Sequence, residues 1–447
     1  MMSRAIGACV ICLAGLLLAT LPVRADKPMV LQTRLAQPVM KGGETQRNYL
    51  RIALNGCERE KTDRTPVNVA FVIDRSGSMQ GIRMAEAREA AIAALKRLDG
   101  NDIASVVIFD NLIDVLVPAQ PVADHATFTD RIRQVAARGN TAIYDAVLKG
   151  ADEVRRFKDN RRLNRVVLLS DGLANVGPSK PDDFAKLGRE LLADGISVST
   201  IGLGLGYNED LMLRLARASD GNHAFVGEAT DLIPIFNKEF DDVLASCAQT
   251  VSIDVEMRPG VRAVRALSRD GSIDGQHAKF QLNQVYQATE HYVLLEVELD
   301  KAIATGEQDL GLVRVAYTSP QDGSRKTLDA AINGRFSPSD ADVKAGRDNT
   351  VLESVLEQAT RERTAAAIKL RDQGRHEEAR ALFQQNVSEI SAYAATAPAL
   401  SERLQYLRKE YGAIANAPAA AAPAQWNAQR KLLRQLDTTQ AGAASRY

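Results

Sequence analysis

Residues 67–79 read VNVAFVIDRSGSM. The first seven, Val67–Ile73, form a short, almost continuously apolar run, which predicts a strand buried on both faces of a parallel sheet. The run ends on Asp74-Arg75-Ser76-Gly77-Ser78, so oxygen-bearing side chains gather where the strand meets its loop. Met84–Leu98 then carries apolar residues at helical spacing and stops at Asp99-Gly100. Further strands are predicted at Ile103–Phe109, with Leu112–Val117 hairpinned onto it, and at Arg165–Leu169, Val198–Leu203 and His223–Val226. Helices are predicted at Phe128–Ala136, Ile143–Phe157, Phe184–Ala193, Asp210–Ala218 and Leu232–Leu244. This switching between periods of 2 and 3.6 predicts an α/β unit over residues 66–245, a doubly wound, mostly parallel sheet. Ligands of such sheets bind outside the carboxyl ends of the strands.

Three junctions at that edge offer oxygen atoms: Asp74, Ser76 and Ser78 after the first strand, Thr141 in the loop before a long helix, and Asp171 in Ser170-Asp171-Gly172. Two carboxylates and three hydroxyls, with no His or Cys, suit a hard cation. Mg²⁺ fits first, with Mn²⁺ or Ca²⁺ as alternatives. This set resembles the metal-ion-dependent adhesion site of von Willebrand factor type A domains, and FVIDRSGSM and LLSDG are close to the form seen in bacterial members. The resemblance covers about 180 of the 447 residues. It implies that Ser76, Ser78 and Thr141 contact the metal directly or through water and that Asp74 and Asp171 hold coordinated waters. It also implies an open coordination position for an acidic side chain of a protein partner. A purely structural metal is the plainer alternative.

Neighbouring features carry less. Gly202-x-Gly204-x-Gly206 follows a strand but lacks the spacing of a dinucleotide fingerprint, so it reads as a strand-end loop. Asp145 is either an acceptor behind the site or a surface acid, and Arg75 either tunes ligands or is solvated. The five histidines are scattered without ligand spacing.

Outside the α/β unit, strands are predicted at Met29–Leu35 and Asn48–Leu54, and at Val251–Met257, Val261–Leu267, Lys279–Leu282, Tyr292–Leu299, Leu312–Tyr317 and Thr327–Ile332. Residues 26–65 and 246–340 therefore read as one β-sandwich-like domain interrupted by the insert, an arrangement that resembles bacterial proteins labelled calcium-activated chloride-channel-like. Val351–Asp372 and His376–Ala394 predict a helical hairpin within residues 350–412, and RDQGRHEEARALF resembles part of a tetratricopeptide-type unit. Leu400–Tyr411 predicts a third helix. Residues 413–447 read as a Pro/Ala linker, Ala413–Ala424, and a tail in which Trp426 opens a short basic helix.

Lys+Arg and Asp+Glu both total 56, so the formal charge is zero, which argues against a basic nucleic-acid grip. Aromatics make up 5%, too few for a base-stacking platform to dominate. Met1–Ala25 has Arg4, an apolar core and Val23-Arg24-Ala25, the signature of a cleaved signal peptide, and no comparable apolar run follows. The protein is expected to be exported, periplasmic or secreted. Cys57 and Cys247 would remain after cleavage at the edges of the insert, and a disulfide between them is expected. The functional expectation is a non-enzymatic protein-binding, adhesion or scaffold protein working through the metal. The alternatives are a metal-dependent hydrolase or phosphatase at the Asp74/Asp171 edge, and an envelope scaffold binding through its C-terminal helices.

Overall fold

A computed structural model describes residues 28–58, 64–159, 161–237, 245–397, 401–416 and 423–438. The signal stretch Met1–Ala25, part of the Ala413–Ala424 linker and the end of the Leu232–Leu244 helix lie outside the described residues; residues 232–237 are helical. The chain opens with β1 (Val30–Leu35), β2 (Val39–Lys41) and β3 (Gln46–Asn55). The α/β unit follows: β4 (Val67–Asp74), α1 (Ile82–Leu95), β5 (Ile103–Phe109), β6 (Ile113–Pro121), α2 (His125–Arg133), α3 (Ile143–Arg155), β7 (Leu163–Ser170), α4 (Pro181–Ala193), β8 (Ile196–Leu203), α5 (Glu209–Ala218) and β9 (His223–Val226). Its sheet runs β6-β5-β4-β7-β8-β9, parallel except for β6, which pairs antiparallel to β5.

The apolar run of β4 is continuous because both faces are covered. Val67, Val69, Phe71 and Ile73 pack with α1 and α2 through Ala87, Ala91, Leu95 and Phe128. Ala70 and Val72 face α3, α4 and α5 through Val147, Phe184 and Leu215. Alternate residues thus serve two cores, as the twofold side-chain period requires. The predicted helix at Phe128–Ala136 begins earlier, at His125, because the Asp124 carboxylate accepts the Ala126 and Thr127 N–H groups as N-cap.

After the insert come β10 (Ser246–Met257), β11 (Val261–Ala266), β12 (Gly271–Asp274), β13 (His277–Tyr286), β14 (Glu290–Leu299), β15 (Gly306–Thr318) and β16 (Arg325–Ser337). They form two sheets, β1-β3-β14-β11 and β12-β13-β10-β15-β16-β2. One core joins them, with Leu50, Ile52, Val293 and Leu295 from the first and Ile253, Val255, Phe280 and Val313 from the second. This is the expected β-sandwich-like domain interrupted by an α/β insert. The strand β12 is an addition to the predicted strands.

The insert is held to the sandwich by a buried polar seam. Arg165 on β7 donates from Nη2 to Gln284 Oε1 (3.0 Å) and Tyr286 Oη (2.6 Å) of β13, and from Nη1 to Ser199 Oγ (2.8 Å). Asp220 accepts the Asn283 N–H at 2.6 Å and pairs with Arg269 at 2.6 Å. Among the described residues no Cys57–Cys247 disulfide is formed, which corrects the expectation. Both cysteines are buried at the neck as placed, but Cys247 Sγ faces the Cys57 main chain and accepts its N–H at 2.9 Å.

The C-terminal region comprises α6 (Asp340–Ala345), α7 (Asn349–Asp372), α8 (His376–Ala394), α9 (Glu402–Asn416) and α10 (Pro423–Thr438). The α7–α8 hairpin does not stack into a repeat array. Val351 of α7 packs on Ala53, Tyr292 and Leu294 of the four-stranded sheet, and Arg51 Nε donates to Ser354 Oγ at 3.1 Å. Residues 413–416, read as linker, complete α9. The predicted tail is a helix docked on the insert: buried Lys431 of α10 donates to Glu209 Oε2 (2.7 Å) and the Tyr207 carbonyl (2.9 Å), 3.9 Å from the Tyr207 ring centroid. Arg430 Nε lies 2.5 Å from Glu209 Oε1 as an ion pair, and Arg434 pairs with Asp210 at 2.8 Å.

A buried cation that loses its anion is costly, on the order of 3–5 kcal/mol. Glu209→Ala is therefore expected to undock α10, seen as a rise of two or more orders of magnitude in amide hydrogen exchange over residues 423–438. Exchange within twofold of the parent would show that the pair does not hold the helix.

Candidate functional site: an oxygen cluster at the carboxyl edge of the sheet

Asp74 is the last residue of β4 and is fully buried. Its Oδ1 accepts the Ser76 N–H at 2.7 Å, which curls the loop back on itself. Its Oδ2 accepts the hydroxyl of Ser170, the last residue of β7. Ser76 and Ser78 Oγ atoms lie 3.1 Å apart, and Ser78 Oγ donates to Asp171 Oδ1 at 2.6 Å. Thr141 comes from the loop between α2 and α3. Its N–H donates to Asn175 Oδ1 (2.8 Å), and its carbonyl accepts the Asn175 N–H (3.2 Å).

Two glycines allow this convergence. Gly139 sits at φ +76 and its carbonyl accepts the Gly77 N–H at 3.0 Å, joining the Thr141 loop to the serine loop. A Cβ at Gly172 would stand 2.8 Å from Thr141 Oγ1 and 3.5 Å from Asp74 Oδ2, so only glycine lets these three junctions close together. The structure thus brings together all five expected residues, Asp74, Ser76, Ser78, Thr141 and Asp171. Among the described residues no three His, Cys, Asp or Glu side chains gather as a metal cluster. The set here is of another kind, two carboxylates among three hydroxyls, and hard oxygen donors of this sort match Mg²⁺, Mn²⁺ or Ca²⁺.

The two carboxylates are not equivalent. Asp171 is buried and ion-paired, its Oδ2 receiving Arg83 Nη1 at 2.7 Å. Asp74 has no ion-pair partner among the described residues. Burial pushes its pKa up to about 6, the nearby Asp171 charge adds to this, and the Ser170 and Ser76 hydrogen bonds oppose it. Arg83 was missed by the sequence reading. A signal was present: Arg83 stands in the first turn of α1, which holds no acid, where the helix macrodipole disfavours a cation unless an anion lies close.

Other neighbours fall into place. Arg75 is buried, with Nε on Asp110 (3.0 Å) and Nη2 on Asp114 (2.5 Å), so it braces the loop and is not solvated. Asp145 is an exposed acid in the first turn of α3. The loop 202–206 closes the site from the side: Gly206 would place a Cβ 3.1 Å from the Asp171 carbonyl, and Gly204 one 3.4 Å from Arg83 Nη2. His223 is buried away from the cluster, between Thr200 and Tyr207.

Residues 69–173 match the von Willebrand factor type A domain family. The chain carries a von Willebrand factor type A domain. Its fold is similar to that of a solved von Willebrand factor type A protein from Catenulispora acidiphila, with a TM-score of 0.72 and 15% identity over 94% of this chain and 99% of that one. In sequence it is 26% identical to the uncharacterized protein sll0103 of Synechocystis sp., over 68% of this chain and 74% of that protein. It is 28% identical to human inter-alpha-trypsin inhibitor heavy chain H3 over 37% of this chain, spanning only 20% of that protein.

A carboxylate whose folded pKa is raised binds its proton more tightly folded than unfolded, so it stabilises the fold less as pH rises from about 4 to about 6. The shift from 3.8 to about 6 in Asp74 corresponds to a cost of about 3 kcal/mol above that range. In the chelator-treated protein, Asp74→Asn is expected to raise stability by roughly 2–3 kcal/mol at pH 8 and by far less at pH 4, measured by urea unfolding. A destabilised variant at pH 8 would show that Asp74 is not strained by its charge.

Proposed function

We propose that this chain is an exported, non-enzymatic protein-binding protein of the adhesion or scaffold type. Its von Willebrand factor type A domain holds a divalent cation, Mg²⁺ first, at Asp74, Ser76, Ser78, Thr141 and Asp171, and grips a carboxylate of a protein partner. The observation that carries this reading is Asp74, a buried carboxylate with no ion-pair partner among the described residues and a pKa pushed up to about 6. Folding does not retain such a group for stability, and a divalent cation is the partner its surroundings lack. When bound, the cation would supply an electrophilic centre able to attract an outside carboxylate.

The chain's own residues do the rest. Ser76, Ser78 and Thr141 offer neutral oxygens, which leave positive charge uncompensated at the rim. Asp74 and Asp171 supply the anionic support, with Arg83 already balancing Asp171. Proteins with this domain are often adhesive or protein-binding, which supports the class. Among the described residues no histidine is hydrogen-bonded to Ser76 or Ser78, which disfavours a hydrolytic reading. Ser76 Oγ is shared with Ser78, and His223 and His291 are buried elsewhere. Among the described residues no helix is long and apolar enough to cross a membrane. Export rests on the signal-like stretch Met1–Ala25.

Calorimetric titration with MgCl₂ tests the cation directly. The parent is expected to bind one equivalent, Asp74→Ala none, and Thr141→Ala at least tenfold more weakly, about 1.4 kcal/mol. Protons compete for Asp74, so affinity is expected to drop as pH falls through about 6. Equal Mg²⁺ binding by parent and Asp74→Ala would sink the assignment.

A further inference from the structure

We infer that the rim of this site docks a protein segment presenting one carboxylate flanked by apolar side chains. Four of the seven exposed large apolar side chains among the described residues lie at the carboxyl edge of this one sheet, Leu112, Leu173 and Leu205 on loops and Ile82 as the first residue of α1. Single exposed apolar residues are ordinary on a protein surface, but a cluster around polar groups marks an interaction site. Three of them bracket the Arg83–Asp171 pair. Ile82, 64% exposed, precedes Arg83, and Leu173, 57% exposed, lies two residues after Asp171. Leu205, 43% exposed, sits between Gly204, next to Arg83 Nη2, and Gly206, next to the Asp171 carbonyl. Leu112 stands on the loop whose Asp110 braces Arg75.

Charge complementarity identifies the occupant. At the centre Arg83 has 40% of its side chain exposed, while Asp171 beneath it is fully buried, so the exposed member of the pair is the cation. Nη1 donates to Asp171 Oδ2 and to the Ser78 carbonyl, and a guanidinium carries further N–H donors. An incoming carboxylate would meet this cation and the metal position together, while the side chains before and after it would meet Leu173, Leu205 and Ile82. An anionic lipid surface has related chemistry, but membranes select an excess of Lys and Arg, and this chain has a formal charge of zero. The inference rests on the cation-held carboxylate proposed above.

The test is selection of phage-displayed random peptides on the immobilised full chain in MgCl₂, eluting with chelator. The expected pool carries one Asp or Glu with Leu, Ile, Val or Phe within two positions. Leu173→Ser and Leu205→Ser, both at exposed positions, are each expected to weaken a selected synthetic peptide by about tenfold, the effect of burying one such side chain. Their Mg²⁺ titrations should match the parent. Acidic, chelator-eluted peptides without apolar flanks, or unchanged affinity in both variants, would overturn the apolar rim and leave the cation-held carboxylate standing. Peptides without an acid, or no chelator-eluted pool, would overturn both. Phosphatidylserine vesicles bound in MgCl₂ and lost in Leu173→Ser would give the rim to a lipid surface and overturn the protein segment.

Discussion

An inserted domain must begin and end at one place, and the rest of this molecule follows from how that is met. The chain leaves the sandwich after β3 and returns at β10, so both ends of the α/β unit meet at a neck where the Cys57 N–H reaches Cys247 Sγ and Thr65 Oγ1 reaches the Ser246 carbonyl. A neck alone would leave the insert free to swivel. The seam of Arg165, Asp220, Asn283, Gln284 and Tyr286 removes that freedom, because its buried hydrogen bonds form in one relative placement only. The seam touches the sheet at the amino end of β7. Arg165 is the third of its eight residues, so the carboxyl end at Ser170 lies about 17 Å away, at roughly 3.3 Å per residue. Fixing one end of the sheet to the sandwich therefore presents the oxygen cluster at the other.

The same logic operates at the far side of the insert. Lys431 enters a buried position where it meets Glu209, the Tyr207 carbonyl and the Tyr207 ring. Desolvation lowers its pKa, and Glu209 opposes that shift. Such a pair contributes little net stability compared with apolar packing, but it permits few alternative arrangements. Tyr207 also fills the space over Gly202, so α10 holds the loop that walls the cluster. Sandwich and insert, and insert and α10, are thus joined by buried polar contacts, whereas α7 meets the sandwich through the apolar cluster around Val351.

What could be read from the sequence divides along the range of the interactions. Strands whose two faces are both covered announce themselves locally, and VNVAFVI and RVVLL did. The five oxygen-bearing residues were legible because each sits at the end of a strand or the start of a helix, where the fold class alone brings them to one edge. Contacts that join distant segments left no local trace. The Arg165 seam spans 119 residues to Gln284, and Lys431 reaches 224 residues back to Tyr207. The Pro/Ala run before α10 carried the composition of a mobile linker, so the helix beyond it read as a tail, although its partner Asp210 was already in view as a helix start. The cysteines were placed correctly at the neck, but proximity does not dictate which atoms face each other.

The cluster itself departs from the economy of the surrounding core. Elsewhere buried carboxylates are matched: Asp102 by Arg64, Asp220 by Arg269, Glu209 by Lys431. At the cluster Asp171 follows that rule through Arg83, and Asp74, within the same few residues, does not. Hydroxyls of Ser170, Ser76 and Ser78 solvate the carboxylates without neutralising them. An asparagine at position 74 would keep the loop-curling acceptor and remove the charge. The unmatched carboxylate is therefore no requirement of the fold, and its persistence at the open edge of the sheet is the physical reason to look outside the chain for the positive charge it lacks.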